Sequence, residues 1–308
     1  MKKIFKWVGI VLGVVVGLAV IAIVGLLIYG QMSFHAKVNR PLYEIKADTS
    51  PAGLARGEYL VRDLIACQGC HGPRVAEGEL ADRDAPLSGH TEDIVFGPIE
   101  AGFNTPNLTP DAETGLGSWT DAEIARAIRE GVDKEGTVLA IMPSPEFRNL
   151  SDADVAAIIG YLRSMAPVYN EVPPVTVNAV GKAVLALGVF GPPNPAPQVS
   201  APVPHPASPV EIGKYLAFAC ARCHGETMAG GPVPGAAEGD PPAANLTPGG
   251  ELAGWSEEDF INTIRTGVNP AGRQLDDSMP WQELARWHDE DLSAVFKYLK
   301  SLPAAQSK

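Results

Sequence analysis

Two pentads carry the chemistry that reads most directly from this chain: Cys67-Gln68-Gly69-Cys70-His71 and Cys220-Ala221-Arg222-Cys223-His224. Two thiols separated by two residues and followed at once by an imidazole form the attachment pattern for a c-type haem. The spacing has a mechanical reason. On a helical turn, positions i and i+3 point the same way, so both thiols reach the two vinyl groups of one porphyrin. The next residue, His71 or His224, then presents its imidazole to the iron. These pentads use all 4 cysteines of the protein. A shared zinc site would leave both histidines unexplained, and no strand-helix-strand pattern supports a thioredoxin-like redox pair. The reading is therefore two haem c groups, attached through Cys67, Cys70, Cys220 and Cys223, with His71 and His224 as axial ligands.

The sixth ligand separates electron transfer from catalysis. Of 6 methionines, Met1 starts the chain and Met32 borders an apolar run. Met228 stands too close to His224 to reach the opposite face of the same haem, and Met165 occupies an apolar helix position. Met142 and Met279 remain, each followed by proline and each in a loop between helices. A thioether is a soft ligand that favours reduced iron and raises its potential. The alternative for both is a methionine that fills gaps in a core.

An internal repeat organises these residues. Gly57-Glu58-Tyr59-Leu60 matches Gly213-Lys214-Tyr215-Leu216, and Asn107-Leu108-Thr109-Pro110 matches Asn245-Leu246-Thr247-Pro248. Trp119, Ile128, Arg129, Gly131 and Val132 match Trp255, Ile264, Arg265, Gly267 and Val268. Met142-Pro143 matches Met279-Pro280, and Tyr161-Leu162 matches Tyr298-Leu299. The domains expected are residues 50–168 and 208–308, joined by a Pro-rich linker over 169–207. The middle of that linker, Val177 to Phe190, is apolar and is read as packing between the two units, with contact to a membrane as the other reading.

Helices must position the motifs. Thr120 to Glu123 reads as a capping box, followed by Ile124, Ala127 and Ile128 on one face and Gly131 as C-cap. Ser256 to Asp259 opens the matching helix. Val155, Ile158, Ile159, Leu162 and Met165, against Leu292, Val295, Phe296, Leu299 and Leu302, mark the last helix of each unit. Nothing alternates like a strand over useful length, so the fold class expected is all-α. His71 to Asn107 is longer than His224 to Asn245 by 15 residues. This insertion, with His90, Glu77, Glu79, Asp82, Asp84, Glu92, Asp93 and Glu100, reads as a solvated loop, with a docking loop as the alternative. His35, His205 and His288 read as exposed.

Ahead of the repeats, Trp7 to Gly30 is a charge-free apolar run. At 1.5 Å per residue it spans roughly 36 Å, enough for a hydrocarbon core of about 30 Å. Lys2, Lys3 and Lys6 precede it, and no small-x-small cleavage site follows. Residues 1–30 are thus expected to be an uncleaved transmembrane signal anchor, and 31–49 a juxtamembrane linker. The whole chain carries a formal charge of −12. Duplex nucleic acid is excluded as a partner, because binding its phosphates takes clustered Lys and Arg. Apolar residues at 45% and charged ones at 19% exclude wholesale disorder.

Both units resemble class I cytochrome c domains, and the chain resembles the membrane-anchored dihaem cytochromes c of bacterial respiratory chains. Asn107 to Asp111 and Thr114 to Thr120 are similar to the cytochrome subunits of membrane-bound alcohol and other dehydrogenases. Those subunits commonly carry three haem motifs, and this chain has two. The resemblance implies covalent haem c and electron transfer between a dehydrogenase or quinol-oxidising complex and a terminal oxidase or soluble cytochrome. It also implies haem domains on the outer, periplasmic side of the bacterial cytoplasmic membrane. Trp119 and Trp255 are candidates to donate to a haem propionate, and Arg129 and Arg265 to neutralise one. The leading reading is an electron-transfer protein with no substrate chemistry of its own. Competing readings are a dihaem peroxidase, which needs one open iron position, and a subunit that tethers a dehydrogenase or oxidase to the membrane.

Overall fold

The computed structural model describes residues 2–34, 36–74, 81–189, 195–233, 236 and 239–306. His35, Glu77, Glu79 and Phe190, on which expectations were placed above, lie outside the described residues. The chain is mostly helical. It opens with α1, Lys2–Phe34, exposed along nearly its whole length and apolar enough to cross a membrane. The chain leaving α1 is tied to the first repeat by Val38 N–H donating to Gly136 O at 2.8 Å and Val138 N–H to Ala36 O at 3.2 Å.

In the first repeat, α2 (Pro51–Tyr59) is capped by Ser50 and continues through a π turn, Leu60–Leu64, into α3 (Gln68–His71). Next come strands β1 (His90–Phe96) and β2 (Ile99–Thr105), then α4 (Asp121–Glu130), α5 (Ser144–Phe147) and α6 (Asp152–Ser164). Strand β3 (Thr176–Val177) and helix α7 (Ala179–Ala186) lie in the linker. The second repeat supplies α8 (Pro209–Leu216), α9 (Phe218–His224), α10 (Glu257–Thr266), α11 (Trp281–Leu284) and α12 (Asp289–Ser301). The capping boxes at Thr120 and Ser256 are both formed, and Gly131 and Gly267 end their helices at φ 67° and 70°.

The same crossing frames both repeats: α2 packs on α6, and α8 on α12. Glycine is required where each pair meets. A Cβ on Gly57 would stand 2.0 Å from Ala157 O, and one on Gly213 would stand 1.9 Å from Ala294 O. Leu60, Val61, Ile159 and Leu162 from one repeat and Leu216, Val295 and Leu299 from the other belong to one continuous buried cluster. The two repeats therefore share their core.

Two expectations are corrected. The chain is not purely helical: β1, β2 and β3 form an antiparallel sheet, and the insertion read as a loop carries its hairpin. Periodicity failed to reveal it because most of β1 is exposed, so no face needs to be apolar. The signal lay in the turn instead. Gly97 at φ 55°, followed by Pro98, suits a two-residue hairpin loop whose first position is left-handed. The apolar middle of the linker does not pack between the repeats. β3 pairs with β2, and α7 lies along the end of α1, where a Cβ on Gly30 would meet Ala183 N at 2.6 Å.

Candidate functional site

Each cysteine pentad is wound into a helical turn, so its two thiols lie one turn apart on the same face. None of the four cysteines forms a disulfide. Burial pushes the Cys67 and Cys220 thiols up to about 12, so both are neutral at physiological pH. Zinc binds thiolates, and burial here opposes them. Among the described residues, moreover, no three His, Cys, Asp or Glu side chains stand close enough together to hold a metal ion. A site of four cysteines drawn from both pentads is not formed.

The imidazoles are held alike in the two repeats. His71 Nδ1 donates to Pro106 O at 2.9 Å, and His224 Nδ1 to Ala244 O at 2.7 Å. Burial lowers both rings below the ordinary imidazole value despite those bonds. A neutral ring that uses Nδ1–H as donor has its Nε2 lone pair free to bind iron. The acceptor carbonyls belong to the residues just before Asn107 and Asn245. Asn107 Oδ1 accepts from Thr109 N–H at 2.9 Å while its Nδ2 donates to Val168 O at 2.7 Å. Asn245 repeats this with Thr247 N–H at 2.9 Å and Ala305 O at 2.8 Å. The two asparagines thus turn the chain and fix the carbonyl that orients each histidine.

Met142 and Met279 are half-buried against the shared core and sit in one local geometry. Ser144 N–H donates to Met142 O at 2.8 Å, and Trp281 N–H to Met279 O at 2.7 Å, spanning Pro143 and Pro280. Those prolines have φ −77° with ψ 48° and 52°. This is an inverse γ-turn, for which proline presets φ. Each methionine is therefore pinned by the proline that follows it and by the short helix beyond.

Arg129 and Arg265 have protein partners. Arg129 is buried, donates through Nη2 to Leu150 O, and faces Asp152 at 2.8 Å. Arg265 donates to Trp287 O at 2.6 Å and pairs with Asp289 at 2.5 Å. Each ties the helix after its tryptophan to the start of the last helix. Trp119 and Trp255 lie half-buried against the core. His90, on β1, turns Nδ1 to Gly72 O at 2.8 Å and has Nε2 3.8 Å from Glu92. Met228, buried at φ 57°, belongs to the core.

Sequence reasoning missed Arg62. Its guanidinium is buried, and its acceptors among the described residues are neutral: Tyr161 OH at 3.0 Å, Arg83 O at 3.0 Å and Ala85 O at 2.6 Å. Its charge acts on the Cys67 thiol. An arginine in an apolar stretch before the pentad was the available signal. Also missed was the mutual approach of the two pentads. The Cys70 thiol lies in the fields of Arg222 and Glu283, and Phe147 meets Phe218 edge-on at 6.0 Å.

With this geometry the comparisons agree. The cytochrome c family model matches residues 54–166 and 210–303. The cytochrome c subunit of alcohol dehydrogenase (quinone) from Gluconobacter oxydans is 30% identical over 289 residues, covering 83% of this chain and 56% of the relative. The gluconate 2-dehydrogenase cytochrome c subunit of Pantoea cypripedii is 28% identical, covering 90% of this chain and 64% of the relative. A "diheme cytochrome c-type" protein of Cereibacter sphaeroides is 28% identical, covering 78% and 83%. The chain spans little more than half the length of the alcohol dehydrogenase subunit it matches. The chain belongs to the cytochrome c family, whose fold implies covalently bound haem c.

Proposed function

We propose that the chain is a membrane-anchored dihaem cytochrome c, built from two tandem class I domains over residues 50–168 and 208–308, that passes electrons and has no substrate chemistry of its own. The observation that carries this is the twofold recurrence of one arrangement: a helical turn bearing two thiols on one face, an imidazole with Nδ1 engaged, and a methionine pinned by proline. Cys67, Cys70, His71 and Met142 would hold the first haem, and Cys220, Cys223, His224 and Met279 the second. A haem so held supplies one-electron cycling between ferric and ferrous iron. The protein's part is to orient each imidazole through the Pro106 and Ala244 carbonyls, to exclude water by burial, and to bring the pentads near a common seam. A matching Met-Pro turn in each repeat favours two filled iron positions over a peroxidase with one kept open.

The names of the relatives support a dehydrogenase as electron donor; the acceptor in this reading is a terminal oxidase or soluble cytochrome. Docking of α7 on the last turns of α1 supports a retained anchor, since cleavage after the apolar run would strip α7 of its partner. Anchor-in-place, the cytochrome units lie on the periplasmic side of the bacterial cytoplasmic membrane. The test is intact-mass analysis combined with a spectroscopic redox titration of the purified protein. Two covalent haems, two low-spin components and an N-terminus that includes α1 are expected. A bare polypeptide, or a high-spin ferric component at one haem, overturns the assignment.

A further inference from the structure

We propose that the tip of the β1–β2 hairpin and the exposed side of α7 rest on the bilayer surface, so that the chain grips the membrane by an apolar footprint as well as by α1. This rests on the reading of α1 as a retained anchor. Depth is the first argument. The apolar run of α1 ends at Gly30, and α7 packs there. Gly30 abuts the backbone of Ala183, and Lys182 Nζ donates to Gln31 Oε1 at 2.9 Å. Leu26 and Leu27 are half-buried, whereas residues 4–25 of α1 are exposed. A span of about 20 residues fills the hydrocarbon core, so α7 lies level with its boundary.

Attachment is the second argument. The hairpin turn is fastened to the N-terminus of α7: Asn178 Nδ2 donates to Pro98 O at 2.9 Å, and Asn178 N–H to Glu100 O at 2.9 Å. A Cβ on Gly181 would come within 2.9 Å of the Ile99 side chain. The turn therefore shares the level of α7. Its chemistry is the third argument. Ile94 to Ile99 carries no charge, and Val95 and Phe96 are 74% and 60% exposed. On α7 and just beyond it, Leu187 and Val189 are 59% and 52% exposed. Scattered apolar side chains on a surface mean little, but a set fastened to a membrane helix at its lipid boundary has an apolar solvent at hand. Acidic Glu92 and Asp93 follow on β1, further from the turn, while Glu100 stands across the hairpin from Val95.

The haem-loaded full chain, placed in phosphatidylcholine nanodiscs, tests this with nitroxide labels at Phe96→Cys, Val95→Cys, Leu18→Cys and Val268→Cys. Collision with oxygen reports lipid, and collision with a nickel chelate reports water. The ratio of oxygen to chelate accessibility at positions 95 and 96 is expected to be several-fold above that at 268 and close to that at 18. A lipid-like label at 18 with water-like labels at 95 and 96 overturns the footprint alone. A water-like label at 18 overturns the anchor reading and the footprint with it. Labels at 95 and 96 shielded from both reagents mean that protein covers the tip, which also overturns the proposal.

Discussion

The Tyr59 hydroxyl donates to Asp291 Oδ2 at 2.7 Å, joining the first repeat to the N-terminus of the last helix in the second. The relationship is returned by its counterpart. Tyr215 donates to Asp154 Oδ2 at 2.6 Å, at the equivalent helix start in the first repeat. Each hydroxyl also accepts a backbone N–H there, from His288 at 3.0 Å for Tyr59 and from Ser151 at 3.1 Å for Tyr215. The repeats are thus locked by one contact used twice, in opposite directions. Two of the three histidines read as exposed join it while remaining exposed: His288 stacks on Tyr59 at 3.8 Å, and His205 lies 3.7 Å from Asp154.

Removing either hydroxyl should loosen the seam. A hydrogen bond to a charged group contributes about 1.5–3 kcal/mol. Tyr215→Phe should cost more than Tyr59→Phe, because Asp154 is more deeply buried than Asp291. Thermal unfolding should fall by several degrees with the visible haem spectrum unchanged. An unaltered Tm in both variants would mean that the seam is held by its apolar core alone.

Acid should weaken the same seam. Burial acts to raise the Asp154 carboxyl, but Arg56, donating at 2.9 and 3.2 Å, and Tyr215 outweigh it and hold the group below its usual 3.8. A carboxyl depressed in the folded state contributes stability above its ordinary value and loses it as pH falls through the folded one. Tm should therefore drop on acidification below about pH 4. Arg56→Leu should be less stable at neutral pH and should show a shallower acid loss, which a pH series of melting curves would record.

Met142→Ala and Met279→Ala should each lower the potential of one haem and leave the other in place, since loss of a thioether ligand removes its preference for reduced iron. Potentiometric titration with optical detection reads this out. If neither substitution changes spectrum or potential, the methionines are packing residues.

Arg62→Met should lower the potential of the first haem alone. A buried cation hydrogen-bonded to neutral acceptors disfavours the extra positive charge of ferric iron, and Phe218 stands at the matching place in the second repeat. The same titration, with Phe218→Leu as a control, decides it. Equal shifts at both haems would trace the effect to general unfolding.

Gly57→Ala and Gly213→Ala should destabilise by about 1–3 kcal/mol or more, because backbone carbonyls occupy the space a methyl group needs. Denaturant unfolding measures this, and wild-type midpoints would show that the helices can part without cost.

What the residue order determined is what a few consecutive residues can settle. A pair of thiols and an imidazole need one helical turn, a cap needs four residues, and a repeat needs only comparison of the chain with itself, so the pentads, the capped α4 and α10 and the matching Met-Pro turns were legible. The glycine of Gly57-Glu58-Tyr59 was visible as a repeat, but its reason was not, because Ala157 lies a hundred positions away. Only the tertiary structure decided that Tyr59 seeks Asp291, that Arg62 is buried, that α7 lies on α1, and that an acidic insertion forms a sheet. Each depends on which distant surfaces exclude water together. Such contacts leave no period along the chain, since an exposed hairpin or a single buried guanidinium requires no apolar rhythm around it.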